Sequence, residues 1–170
     1  MLKEIAIRKS PYQFDSEFKL TEEKVLSLIE AASFAPSSYN EQPWRFAFGI
    51  KGTEQFELIL NSLVEPNQEW AKHASVLLVA LTRNEFSRNG KNNRHASYDT
   101  GQAMAFLSLE ATHQGLSLHQ MGGFYHEELV KSLGVDGELE AISVTAIGKS
   151  AEDMSTKERS RIPVGDLVIE

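Results

Sequence analysis

A continuous apolar run within residues 75–82 is the feature that most constrains the fold of this chain. Six apolar residues follow one another without a polar interruption: Val76, Leu77, Leu78, Val79, Ala80 and Leu81. Successive side chains of a β-strand point to opposite faces of its sheet, so this run predicts a strand buried on both faces. The run is far too short to span a membrane, which requires about 20 apolar residues in a helix.

Helical and strand patterns alternate along the rest of the chain. Thr21 predicts the start of a helix over residues 21–34, because Thr is a good N-cap and acidic residues follow it. Pro36 ends that helix. The other predicted helices are the stripe from Phe56 to Leu63, residues 96–114 and residues 126–134, and the predicted strands are 44–50, 75–82, 116–120, 141–147 and a short β-prone piece at 166–170. This order predicts one domain over residues 1–170, α+β or α/β, whose sheet is covered by helices.

The predicted helix at 96–114 is apolar around much of its circumference and is expected to form much of that cover. Gly101 within it costs about 1 kcal/mol relative to Ala, so we expect a close helix crossing there, within the chain or across a dimer. Met104, Phe106 and Leu107 are expected in the core or in a dimer interface. The polar and basic segment at 83–95 predicts a mobile loop before this helix.

Composition excludes several classes of function. The net charge of −7 argues against a nucleic-acid surface, although a local phosphate pocket made by a few arginines stays open. The absence of Cys excludes disulfides and thiolate chemistry and fits a reducing cytoplasm. Residues 1–10 lack the apolar core of a signal peptide. We therefore expect a cytoplasmic protein with neither a nucleic-acid partner nor a membrane partner.

Several well-known cofactor and catalytic motifs are missing from the sequence. It has no G-x-G-x-x-G after a strand, no Walker A motif and no G-x-S-x-G elbow. The five histidines show no H-E-x-x-H spacing, so we expect no metal site. His95 and Asp99 lie four apart on one helix face, and a surface pair or a helix-end contact is the favoured interpretation.

A polar turn separates the predicted helix at 21–34 from the predicted strand at 44–50. Such a turn can present several hydrogen-bond donors and acceptors to one flat polar ligand. Its candidate binding residues are Pro36, Ser37, Ser38, Asn40 and Gln42.

Two basic segments lie near opposite ends of the chain, Arg8-Lys9-Ser10 and Arg159-Ser160-Arg161. Each alone is more simply a solvated basic patch. Together, in an acidic protein, they can converge on one phosphate, because the planar fork of Arg bonds phosphate oxygens in pairs.

These segments, taken in order, resemble the nitroreductase family of flavin enzymes. The most specific part of the match is the loop from Pro36 to Trp44, whereas the other parts are individually weak. The other matching segments are Arg8 to Phe14, Asp99 to Ala111, Gly115-Leu116, Gly122-Gly123-Phe124 and Arg159 to Pro163.

The resemblance implies a flavin mononucleotide (FMN) cofactor and a set of residues that bind it. Its phosphate would be held by Arg8, Arg159 and Arg161, with Ser10 assisting, and Lys9 also counts among the cofactor-binding residues. The turn residues Pro36, Ser37, Ser38, Asn40 and Gln42 would line the cofactor from a partner subunit. Asn67 matches a position at the pyrimidine edge of the ring, with a turn residue after Pro66 as the alternative. Gly122 and Gly123 would bring a backbone N–H to flavin N5, the atom that accepts hydride.

The resemblance also implies an activity and an assembly. The fold would be α+β, with a central, mostly antiparallel sheet in an intertwined homodimer. NAD(P)H would reduce the flavin, and a nitroaromatic, quinone or similar acceptor would reoxidise it in a ping-pong reaction. The piece at 166–170 would pair with the partner's sheet.

One residue departs from the family pattern. Tyr12 stands where the family usually has Lys or Arg beside the flavin N1/O2 edge, and it also counts among the cofactor-binding candidates. Because Tyr12 can only donate a hydrogen bond, a flavin carrier or sensor with little catalysis remains an alternative to the enzyme. Two further alternatives are a different reaction of the same superfamily and an interaction module whose motifs match by accident.

Overall fold

The computed structural model describes residues 1–135, 137 and 139–169. Its centre is a four-stranded sheet in the order β1-β2-β4-β3, and every neighbouring pair is antiparallel. The strands are β1 (Trp44–Ile50), β2 (Val76–Thr82), β3 (Ser117–Met121) and β4 (Glu140–Gly148). The predicted α+β class with an antiparallel sheet is confirmed, and β1 has the predicted bounds.

The described ranges contain six α-helices, of which five cover the two faces of the sheet. They are α1 (Lys3–Ile7), α2 (Glu22–Ser33), α3 (Glu54–Asn61), α4 (Glu65–Ala71), α5 (Ala96–His113) and α6 (His126–Ser132). Helices α2 and α5 pack on one face, whereas α3, α4 and α6 supply buried residues to the other. Helix α1 packs on α5. The Thr21 cap is confirmed, since its side chain accepts a hydrogen bond from the Lys24 N–H.

Strand β2 divides the molecule into two cores, because all seven of its residues are buried. Val76, Leu78 and Ala80 face the core under α2 and α5. The intervening Leu77, Val79 and Leu81 face the core under α3, α4 and α6. Each face of the sheet is therefore covered, as the uninterrupted apolar run predicts. Strand β4 is also largely buried on both sides, because it lies between β2 and β3.

Helix α5 buries one side against the sheet and exposes the other. Met104 and Leu107 are buried as expected, whereas Phe106 is 40% exposed. Apart from its chain neighbours and the nearby backbone of its own helix, no atom of the described residues lies within 4 Å of a Cβ built at Gly101. The prediction of a close helix crossing at Gly101 within the chain is therefore wrong. The alternative, a crossing between two copies of the chain, stays a prediction.

The C-terminal segment runs back over the N-terminal segment. The Ala151 N–H donates to the Gln13 carbonyl at 3.0 Å, and the Asp15 N–H donates to the Lys149 carbonyl at 2.9 Å. The predicted β-prone piece at 166–170 is wrong where it begins, because Val164–Leu167 forms a short 3-10 helix. Glu170 lies outside the described residues.

The described ranges contain neither a helix suited to cross a membrane nor a metal-binding cluster. None of their helices is both long enough and apolar enough to cross a membrane. Within the same ranges, no cluster of three or more His, Asp or Glu side chains could hold a metal ion.

We expect Gly49→Ala to lower the free energy of unfolding by about 3 kcal/mol, because the close packing of α3 on β1 leaves no room for a side chain. A Cβ built at Gly49 lies 2.2 Å from the Phe56 backbone nitrogen. Guanidinium unfolding of the apoprotein measures the loss. Gly122→Ala is the matched control, because its Cβ meets no described atom within 4 Å. Equal losses in the two variants would contradict the packing argument.

Candidate functional site: a basic recess and a strained polar turn

The two basic segments predicted from the sequence meet in one recess. It has a volume of about 250 Å³ and lies between the segment after α1 and the C-terminal segment. The recess is lined by Arg8, Lys9, Ser10, Met154, Lys157, Glu158, Arg159, Ser160 and Arg161. Three arginines from opposite ends of the chain thus line a recess that is large enough to hold a phosphate group.

The guanidinium groups in this recess are only partly satisfied. Arg159 donates from Nη1 to the Ile5 carbonyl at 2.8 Å, but its buried Nη2 has no hydrogen-bond partner among the described residues. Arg8 donates from Nη1 to the Ser10 hydroxyl at 3.3 Å. Burial, and then the charges of Arg159 and Arg161, lower the pKa of Arg8. An anion in the recess would offset the repulsion between these like charges.

Lys9 has a different position from the arginines, although it also lines the recess. Its ammonium group donates to the Met154 and Lys157 carbonyls. Lys9 therefore fastens the C-terminal segment over the recess.

The polar turn between α2 and β1 has an unusual backbone. Tyr39, Asn40 and Gln42 have φ angles of 54°, 56° and 50°, in the left-handed region that favours glycine. Each such non-glycine residue costs about 1–3 kcal/mol, so surrounding contacts must hold it in place. Within the turn, the Gln42 N–H donates to the Ser37 hydroxyl at 3.0 Å.

Contacts from two other segments hold this turn from outside. From α5, the Asp99 carboxylate accepts a hydrogen bond from the Ser38 N–H at 2.9 Å. From the 83–95 loop, the Ser87 N–H donates to the Glu41 carboxylate at 2.7 Å. Arg88 of the same loop stacks on the Tyr39 ring, 4.2 Å from its centroid.

The predicted surface pair of His95 and Asp99 is wrong. Asp99 is 3% exposed, and its carboxylate binds the turn. The backbone N–H of Asp99 donates to the His95 carbonyl at 2.8 Å, as is ordinary in the first turn of a helix, and this bond involves neither side chain.

The two candidate glycines have different surroundings. A Cβ at Gly123 would lie 2.7 Å from Asn67 Nδ2, whereas one at Gly122 meets no described atom within 4 Å. Asn67 lies inside α4, so its interpretation as a turn residue is wrong, and its Nδ2 donates to the Gly123 carbonyl at 3.0 Å. Among the described residues, neither glycine N–H donates a hydrogen bond. Both N–H groups therefore have no partner in the part of the chain that the structure describes.

Tyr12 belongs to an aromatic cluster beside α4. Its ring packs edge-on against Trp70 at 5.2 Å and against His119 at 4.5 Å, and 57% of Tyr12 is exposed. The His119 ring nitrogen Nδ1 contacts the Pro11 carbonyl at 2.9 Å, which fixes the segment that carries Tyr12. The cluster holds Tyr12 at the surface, next to the helix that carries Asn67.

Several residues of this site do not stand out in the sequence as participants. Asp99 appears there as a neighbour of His95 and as the start of a matching segment, but not as a partner of Ser38, which is 61 positions away. Trp70 and His119 likewise carry no local signal of their contact with Tyr12. Glu41 and Ser87 are ordinary polar loop residues until the fold brings them together.

The fold and the sequence identify the family. The model of the nitroreductase family matches residues 5–54 and 50–149, so the chain belongs to that family. Protein DrgA of Synechocystis is 29% identical over 194 residues, covering 95% of this chain and 91% of DrgA. An oxygen-insensitive NADPH nitroreductase of Helicobacter pylori is 33% identical over 75 residues, covering 44% of this chain and 35% of that protein.

Solved structures share the fold along the whole chain. A crystal structure described as an oxidoreductase containing FMN is 31% identical with a TM-score of 0.90, covering 100% of this chain and 91% of that one. A protein from Desulfovibrio desulfuricans, solved in complex with FMN, has a TM-score of 0.82 at 21% identity, covering 99% of this chain and 94% of that one. The second likeness concerns the fold alone.

The contact between Glu41 and Ser87 generates a pH prediction. Hydrogen bonds from the backbone and the hydroxyl of Ser87, together with the charges of Arg88 and Arg83, lower the pKa of Glu41 below its ordinary 4.5. A lowered carboxylate pKa gives stabilisation that is complete above pH 4.5 and is lost as the pH falls further. The Ser87 amide resonance, followed by NMR from about pH 6 to about pH 3, should therefore titrate with a midpoint below 4.5.

Glu41→Gln provides the control for this titration, because it keeps an acceptor but removes the ionisable group. The transition of the Ser87 resonance should disappear in that variant. A wild-type midpoint at or above 4.5 would contradict the argument.

Proposed function

We propose that the protein is an FMN-dependent oxidoreductase that passes reducing equivalents from NAD(P)H to nitroaromatic, quinone or similar conjugated acceptors. The observation that carries the proposal is the recess of Arg8, Arg159 and Arg161, with a buried guanidinium nitrogen that lacks a partner in the described ranges. Family membership and the FMN of the 31% identical structure support the same cofactor.

Different residues of the chain fit different parts of the cofactor. Arg8, Arg159 and Arg161 would bind its phosphate with charge-assisted hydrogen bonds, and Ser10 would add a hydroxyl. Lys9 would act indirectly, by holding the C-terminal segment over the recess. Asn67 would present its side-chain oxygen to the ring, since its nitrogen is already bonded to Gly123.

The polar turn would complete the site from a second subunit. None of the residues that line the basic recess also lines the recess of about 280 Å³ beside Pro36, Ser37 and Ser38. Two separate recesses fit an arrangement in which one copy supplies the phosphate pocket and the other supplies the turn. Asn40 and Gln42 would then present their side chains from the strained part of the turn.

When bound, the flavin supplies hydride transfer at its N5 atom, and the protein positions and tunes it. The free N–H groups of Gly122 and Gly123 would donate to that atom. Glycine at 123 also admits the Asn67 amide, so a side chain there would displace a residue of the same site.

Tyr12 would leave the N1/O2 edge of the flavin without a fixed cation. A neutral hydrogen-bond donor stabilises the negative charge of a reduced ring less than a cation does. This is the observation that favours the second candidate, a flavin-binding carrier or sensor with little catalysis.

The choice of reductant and acceptor follows from relatives rather than from a residue of this chain. The Helicobacter pylori relative is named as an NADPH nitroreductase, which supports NAD(P)H as the reductant. The nicotinamide and the acceptor would bind one after the other at the same open face of the flavin ring.

A homodimer would cover an apolar surface of this chain. A shallow recess of about 720 Å³ between α1, α2 and α5 is lined by Leu2, Ala31, Phe34, Phe106 and Leu109, with Glu4, Glu110 and His113 at its polar positions. The C-terminal segment also exposes Val164, Leu167, Val168 and Ile169. A second copy would bury both surfaces, and it would bring the turn of one subunit to the phosphate recess of the other.

The test of the proposed function is the absorbance spectrum of the protein reconstituted with FMN. We expect flavin bands that bleach with NADH or NADPH under anaerobic conditions and return when a quinone is added. A protein that binds FMN but whose flavin bands do not bleach would favour the carrier or sensor. A failure to bind FMN would overturn the cofactor assignment.

Variants of the recess sharpen this test. Arg159→Ala should weaken FMN binding by about 10-fold to 100-fold, because it removes a charge-assisted donor. Its effect on riboflavin, which lacks the phosphate, should be small. Lys131→Ala is the control, because it removes one exposed cation from α6, outside the recess.

Deletion of residues 164–170 tests the dimer. We expect the truncated protein to dissociate or to lose FMN, because the exposed apolar side chains of this segment would otherwise be buried against the partner. Light scattering after size-exclusion chromatography measures the mass, and flavin fluorescence measures binding. A truncated protein that stays dimeric and keeps FMN would count against this role.

A further inference from the structure

We propose that Asp99 is a positioning residue for the cofactor, holding the turn at 36–42 in its binding shape from the first turns of α5. This inference rests on the proposed function, because it assigns a purpose to a contact that family membership alone does not explain. It makes α5 part of the cofactor site, although Asp99 itself would not touch the cofactor.

The contact joins a buried carboxylate to the backbone of the turn. Asp99 Oδ2 lies 2.9 Å from the Ser38 nitrogen, and the side chain is almost fully buried. Gln102, one helical turn further on, places its Nε2 3.4 Å from the Pro36 carbonyl and 3.5 Å from Asp99 Oδ1. Asp99 and Gln102 therefore bind one N–H group and one C=O group of the turn, those of Ser38 and Pro36.

The charge of Asp99 suits this position. A buried carboxylate is costly unless hydrogen bonds satisfy it, so it is rarely used where an apolar side chain would pack as well. The first turns of a helix favour negative charge, and a charged acceptor makes a shorter and stronger bond than a neutral one. The bond to Ser38 thus fixes the backbone more firmly than an uncharged acceptor would.

The backbone of the turn needs a contact from outside the turn at Ser38 in particular. Ser38 immediately precedes Tyr39 and Asn40, whose left-handed backbone is unfavourable for residues with side chains. If the Ser38 N–H lost its partner, the strained residues would relax toward ordinary φ values. The side chains proposed to line the flavin would then move with the backbone.

The contacts of the 83–95 loop do not replace this bond. Glu41 and Tyr39 are held by Ser87 and Arg88, which belong to an exposed polar loop. Asp99 instead belongs to the longest helix, whose buried face packs on the sheet. The turn is therefore tied to the rigid core through Asp99.

Three variants at adjacent positions test this role. Asp99→Leu removes the acceptor and keeps the branched shape, and Asp99→Asn keeps an oxygen that accepts from the Ser38 N–H. Thr100→Val is the matched control, because Thr100 is equally buried and donates to the Thr82 hydroxyl at 3.0 Å without touching the turn.

We expect Asp99→Leu to raise the FMN dissociation constant by about 10-fold or more, while Asp99→Asn stays within about 3-fold of wild type. Thr100→Val should lower the melting temperature and leave FMN affinity unchanged. Hydrogen exchange of the apoprotein provides a second readout, in which Asp99→Leu should accelerate exchange across residues 36–42 and Thr100→Val should not. If Asp99→Leu does not fold, Gln102→Leu takes its place in both measurements.

The outcomes separate this inference from the proposed function. If the wild-type protein does not bind FMN, the proposed function fails, and hydrogen exchange alone decides whether Asp99 holds the turn. If wild type binds FMN and Asp99→Leu binds it equally well, the positioning role is overturned. Equal losses of affinity in Asp99→Leu and Thr100→Val would also overturn it, because general destabilisation would then explain both.

Discussion

The burial of β2 on both of its faces is the constraint on which the rest of the structure depends. Alternate residues of this strand supply two separate cores, and each core requires its own layer of helices. The layer of α2 and α5 positions the polar turn, because that turn follows α2 and is bonded to α5. The opposite layer carries α4, whose Asn67 meets Gly123 beyond the end of β3. The candidate site is thus assembled from loops that the sheet and its two helical layers hold in place.

Local patterns in the sequence predict the elements of the fold well and their pairing less well. The bounds of β1 and the Thr21 cap are correct, because residue spacing and capping chemistry act within a few positions. The C-terminal piece has β-prone residues, yet Val164–Leu167 turns into a 3-10 helix. A β-prone segment needs a neighbouring strand, and within the described ranges Val164–Leu167 pairs with none.

Some parts of the candidate site can likewise be predicted from the sequence, and others cannot. The charge and residue type of the two arginine segments are compatible with a shared anion, and the structure places both segments around one recess. The role of Asp99 cannot be predicted from spacing, because its partner lies in a turn that is remote in sequence. The left-handed backbone at Tyr39, Asn40 and Gln42 is equally hidden, since none of these residues is glycine. Tertiary contacts, rather than local preference, determine the shape of that turn.

The convergence of opposite chain ends on the basic recess has a consequence for a clipped molecule. The sheet and both cores use residues only as far as Gly148, and no strand follows it in the described ranges. Arg159 and Arg161 lie beyond Gly148, on a segment that crosses back over residues 13–15. A protease that cut the exposed stretch between Gly148 and Arg159 would therefore remove two of the three arginines of the recess and leave every described strand in place. The product would keep its sheet and lose its basic recess.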